Sequence, residues 1–76
     1  MEQAYILVSS EIGTEQELAS KLQEIDEVKN VMITYGDYDI VIEAQTDDAA
    51  KMDDVITSKI RKLGKIRSTI TLKVTI

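Results

Sequence analysis

The sequence predicts an α+β fold in which a four-stranded antiparallel sheet carries two helices on one face. Three observations lead there. Apolar residues recur at helical spacing in two separate stretches, around Leu18 to Ile25 and Met52 to Leu63. Short runs rich in apolar and β-branched residues flank and separate those stretches. Two of these runs follow one another directly across Gly36-Asp37, so the element order is β-α-β-β-α-β.

The first strand is QAYILVS, residues 3–9, and the Glu11-Ile12-Gly13 break ends it in a turn. Thr14 opens the first helix. Thr14-Glu15-Gln16-Glu17 has the form of a capping box, in which the threonine hydroxyl accepts from the backbone N–H of Glu17 and that glutamate reaches back. Leu18, Leu22 and Ile25 then form one apolar stripe, and the helix frays near Asp26. The second strand runs from Val28 to Tyr35, with Val31, Ile33 and Tyr35 on one face and Met32 and Thr34 on the other. Gly36-Asp37 reads as a two-residue hinge in an order that suits a type II′ turn, and the third strand runs from Tyr38 to Ala44. Asp47 or Thr46 caps the second helix. Its buried side is Met52, Val55, Ile56, the stem of Lys59, Ile60 and Leu63, and Gly64 stops it. The last strand is a strict alternation of Ile66, Ser68, Ile70, Leu72, Val74 and Ile76 with Arg67, Thr69, Thr71, Lys73 and Thr75.

This order is that of the ferredoxin-like split unit. Right-handed crossovers give the spatial strand order 4-1-3-2, with both helices on one face. Residues 1–76 read as a single domain with no linker or repeat. The central strands are apolar on both sides: Ile6 and Val8 against Tyr5 and Leu7, and Ile40 and Ile42 against Val41. Two helices cover only one face, so Tyr5, Leu7 and Val41 call for a partner, most simply a second copy about a two-fold axis. The competing account is scattered apolar exposure of the ordinary kind.

Composition removes several function classes. A 76-residue chain buries only roughly 60 to 65% of its unfolded surface. With no cysteine it has no disulfide, and small domains without such staples gain stability by oligomerising. Without Cys or His the usual soft and imidazole metal ligands are missing, and neither a metal nor another cofactor is expected. The same absence leaves catalysis to carboxylates, Lys, Tyr or Ser/Thr, so an enzyme is not expected. Fourteen acidic against nine basic residues give a net charge of −5, the wrong sign for direct nucleic-acid binding. The longest uninterrupted apolar run is Ala4 to Val8, and Glu2 follows Met1, so no membrane span or signal sequence is expected and the expected location is the cytoplasm. The cations Lys59, Arg61, Lys62, Lys65 and Arg67 suit a helix C-terminus, and Asp47, Asp48, Asp53 and Asp54 lack the spacing of a calcium loop.

The stretch Tyr35-Gly36-Asp37-Tyr38-Asp39-Ile40-Val41-Ile42 resembles the G-x-Y-D signature of the effector-binding domain of Lrp/AsnC, or feast/famine, transcriptional regulators. Lys59-Ile60-Arg61-Lys62-Leu63 and the pair Thr69-x-Thr71 are similar to that family's second-helix end and its T-x-T in the last strand. The likeness covers essentially the whole chain, departing at Leu63-Gly64-Lys65, where the family often has Pro-Gly. Full-length members carry a helix-turn-helix domain before this one, so the chain looks like the stand-alone regulatory form. The resemblance implies sheet-to-sheet homodimers that assemble into rings, small amino-acid effectors held between dimers near the glycine loop, and co-assembly with a full-length regulator.

A glycine lets backbone N–H groups approach a ligand, and carboxylates accept from an ammonium, which together suit a zwitterion. Carried over, Gly36 shapes the loop, Asp39 or Asp37 takes the ammonium, and Tyr35, Tyr38, Thr69 and Thr71 line or close the pocket. The plainer alternative is that Gly36 makes a turn and Asp39 satisfies backbone donors. The expected function is amino-acid sensing coupled to assembly. Two other readings stay open: a small enzyme of the dimeric α+β barrel type, and a structural assembly module without a ligand.

Overall fold

The computed structural model describes residues 1–75; Ile76, the last residue of the alternating run, lies outside them. β1 (Glu2–Ser10), α1 (Glu15–Gln23), β2 (Val28–Ile33), β3 (Ile40–Thr46), α2 (Ala49–Val55) and β4 (Ile66–Lys73) follow in the expected β-α-β-β-α-β order. The sheet order is β2-β3-β1-β4, all antiparallel, which is the 4-1-3-2 arrangement of a ferredoxin-like α+β fold.

Alternation in the two central strands builds the core. Ala4, Ile6 and Val8 of β1 and Ile40, Ile42 and Ala44 of β3 are buried under the helices, which contribute Leu18 and Leu22 from α1 and Met52 and Val55 from α2. Past Val55 the second helix continues as one π-helical turn, Ile56–Ile60, closed by Arg61 N–H donating to Ile56 C=O at 2.9 Å. Ile56 and Ile60, four residues apart on one face, both lie in the core.

Several local expectations are corrected. No capping box forms at Thr14: its hydroxyl donates instead to Glu11 C=O at 2.7 Å, and its side chain accepts no helix N–H. The second helix is capped neither by Thr46 nor by Asp47 but by Asp48, whose carboxylate accepts from Lys51 N–H at 2.7 Å. Thr46 uses its hydroxyl on Asp48 C=O. Gly64 does not stop the helix, which ends at Ile60 with Arg61 as its C-cap, and the left-handed residue of the following turn is Lys65, φ 74°. In β4 the register shifts between Ser9 and Ser10, so Ser9 faces Ser68 while Ser10 faces Ile66. The irregularity splits the strand's apolar residues. Ile66 packs on the core, whereas Ile70 and Leu72 lie opposite Leu7 and Tyr5 on the outer face.

That outer face is a continuous apolar surface. Leu7 is flanked by Val41 and Ile70, Tyr5 by Leu72, and Val41 by Met32. Tyr5, Leu7 and Val41 are half-buried, and Met32, Ile70 and Leu72 are 39%, 44% and 51% exposed. Its polar margin includes Gln3, whose amide donates to Glu43 Oε2 at 2.8 Å.

On the helix side, Lys59 Nζ donates to Glu27 Oε1 at 3.0 Å, joining the π turn to the loop before β2. The lysine hydrogen bond holds the Glu27 carboxyl below the ordinary glutamate range. A depressed folded-state pKa contributes stability above the unfolded value of about 4.3, which is lost as pH falls through the folded value. Lys59→Met is therefore expected to cost up to about 1 kcal/mol at pH 7, the range of solvent-screened pairs. The difference from the parent should shrink as pH drops below about 4. Urea denaturation at pH 7 and pH 3.5 checks it, and a difference independent of pH would refute the ionic origin.

Candidate functional site

The loop between β2 and β3 is wider than the two-residue hinge expected from Gly36-Asp37. Ile33 pairs with Ile40, Thr34 N–H donates to Asp39 C=O at 2.8 Å, and the Thr34 hydroxyl donates to Tyr38 C=O at 2.8 Å. Tyr35, Gly36, Asp37 and Tyr38 therefore form a four-residue loop, β2 ends before Tyr35, and β3 begins two residues after Tyr38. Gly36 has φ +123°, a conformation side chains rarely adopt, and the space where a Cβ would point is open.

Asp39 anchors this loop to the end of β1. Its N–H donates to Val8 C=O at 2.9 Å, and its Oδ2 accepts from Ser10 N–H at 2.8 Å and more loosely from the Ser10 hydroxyl at 3.5 Å. Ser10 is buried, so the carboxylate satisfies a donor that water does not reach. After Ser10 the chain turns through Gly13, φ +83°, and enters α1 with Glu15 and Gln16 beside the loop.

Between them lies an open groove of about 400 Å³, lined by Glu15, Gln16, Ile33, Thr34, Tyr35, Gly36 and Asp39. Of the residues named from the sequence, Tyr35, Gly36 and Asp39 meet here. Asp37 and Tyr38 belong to the same loop without lining the groove. Thr69 and Thr71 stand opposite Val8 and Ile6 on β4, at the sheet edge remote from β2, and one chain does not bring them to the groove. Glu15, Gln16, Ile33 and Thr34 were not foreseen as lining. The first two carried a capping signal only, and the crossover that brings α1 back over the sheet is what places them here.

The groove offers two carboxylates, an exposed phenol and an amide, and among the described residues its lining contains no lysine or arginine. A larger hollow of about 550 Å³ lies by Met1, Gln3, Ala49, Lys73 and Thr75. Two of its polar groups are already paired, Gln3 with Glu43 and Lys73 with Asp53 at 3.4 Å. Among the described residues no group of three His, Cys, Asp or Glu is placed to hold a metal ion, and no helix is long and apolar enough to cross a membrane.

Fold and groove together define the class, a ferredoxin-like α+β binding domain. The family model for the Lrp/AsnC ligand binding domain matches residues 3–75, and the chain belongs to that family. FFRP-DM1 is 37% identical with a TM-score of 0.95, the match covering 99% of this chain and 100% of that one. A hypothetical protein of Pyrococcus horikoshii, PHS023, is 37% identical at TM-score 0.94, covering 100% of this chain and 92% of that one. AsnC of E. coli is 27% identical at TM-score 0.90, and the match takes in 96% of this chain but 50% of AsnC. No curated protein matches the chain. With regulators as neighbours, it is a regulatory effector-binding domain.

Proposed function

We propose that the chain is a non-enzymatic amino-acid sensor of the cytoplasm, folded as one domain over residues 1–76. It forms two-fold dimers through the outer face of its sheet, binds a small amino acid between dimers at the groove, and assembles into rings. It co-assembles with a full-length Lrp/AsnC regulator and so modulates transcription without touching nucleic acid itself. The observation that carries this reading is the groove beside the G-x-Y-D loop in a chain of this family. A transcriptional regulator of Neisseria meningitidis with the same fold, 18% identical, was solved as a complex with L-Met.

In this reading Asp39 takes the ligand ammonium, since it lines the groove and Asp37 does not. Gly36 exposes backbone N–H to the carboxylate, and Tyr35 and Tyr38 close the site. Thr69 and Thr71, remote from the groove of their own chain, reach a ligand only from another copy. Ligand acts by binding one assembly more tightly than another, because equal affinity shifts nothing. The barrel-type enzyme gains no support: Ile6, Ile42, Met52 and Ile60 fill the space between sheet and helices.

Calorimetric titration with the twenty amino acids, with particle size followed by light scattering, tests the proposal. At least one amino acid is expected to bind and to change the size. Absence of both responses would leave only a structural assembly module.

A further inference from the structure

We infer that the groove selects basic ligands, dicationic amino acids of the lysine and arginine kind, and that Glu15 is the residue that imposes the choice. The inference rests on the groove being the effector site and adds the chemical class of the effector. Glu15 and Asp39 contribute from separate elements, one on the first turn of α1 and the other where the loop joins β3. Asp39 is held by Ser10 N–H at 2.8 Å through Oδ2, and its other oxygen, Oδ1, makes no hydrogen bond among the described residues. Among the described residues Glu15 is held only by a long contact, Gly13 N–H to Oε1 at 3.3 Å. Neither carboxylate is matched by a cation in the lining, whereas Glu17, two residues along the same helix, is flanked by Lys65 at 3.3 Å and Lys21 at 3.7 Å.

The third feature is Tyr35, whose side chain is wholly exposed at the groove. An exposed aromatic face beside two carboxylates is a favourable surround for a cation. A neutral amino acid brings one ammonium, which answers one carboxylate and leaves the second facing the ligand without a partner. A basic amino acid brings two cationic groups, one for each, while its carboxylate turns to the N–H of Gly36. An acidic ligand would add negative charge to a groove whose lining already carries two.

L-lysine and L-norleucine differ by the terminal ammonium and isolate this effect. Titration calorimetry of the whole chain at low salt is expected to give lysine and arginine an affinity at least about tenfold above norleucine. Added salt should narrow the gap. Glu15→Gln, an exchange of similar shape at a half-buried position of the first helical turn, should bring the lysine-to-norleucine ratio towards one. Norleucine or leucine binding as tightly as lysine would overturn the charge selection and leave the effector reading standing. An unchanged ratio in Glu15→Gln would overturn the role of Glu15. Failure of every amino acid to bind would overturn both readings.

Discussion

Asp39→Ala is expected to lower the stability of the fold by about 1 to 3 kcal/mol, the usual cost of stranding a buried donor. Its Oδ2 is the acceptor for the N–H of Ser10, a residue only 4% exposed, at 2.8 Å. Alanine leaves that N–H inside the protein without a partner. Asp39→Asn keeps an oxygen in the same place and should remain close to the parent in stability. It removes the negative charge, however, and with it the group proposed to receive a ligand ammonium. Alanine therefore tests the anchor and asparagine the site. Denaturant unfolding of both variants, with calorimetry on Asp39→Asn, separates the two roles. An alanine variant as stable as the parent would mean that the Ser10 contact contributes nothing.

Leu7→Glu is expected to break the proposed two-fold dimer. Leu7 occupies the centre of the outer apolar face, between Val41 and Ile70, and points away from the helices, so the core does not depend on it. In a two-fold pair each copy would place an unpaired carboxylate in the middle of the contact. Burying such a charge is strongly unfavourable, and the dissociation constant should rise by more than about 100-fold. Sedimentation velocity reports the mass, and circular dichroism reports whether the monomer stays folded. Retention of the parent's mass would place the dimer contact elsewhere.

What sequence inspection reached and what it missed divide along a physical line. The alternation of Ile6 and Val8 with Tyr5 and Leu7 is a local pattern tied to one face of a strand, and it predicted both the core and the bare outer face. The strand order followed from crossover handedness. Three features were decided instead by particular hydrogen bonds and strand register, which apolar periodicity does not encode. Thr14 turned away from its helix because Glu11 C=O was within reach. Gly36-Asp37 looked like a tight turn, yet the bonds from Thr34 to Tyr38 and Asp39 widened it to four residues. The even spacing of β4 concealed a register shift that sends Ile66 to the core and Ile70 and Leu72 outward. At the site, Gly36 and Asp39 were legible because glycine and aspartate carry conformational and chemical signals. Glu15 and Gln16 were not, since charged residues in a first helical turn look the same whether they cap, face water or border a groove.

The groove and the apolar face lie on opposite sides of one thin sheet, the first under α1 and the second bare of helices. Two copies placed back to back would therefore turn their grooves outward, making a body of valence two. Any contact that joins site to site extends such a body in both directions at once. Growth then proceeds by whole pairs, and the angle between successive pairs alone decides whether the chain of bodies closes on itself or runs on as a filament.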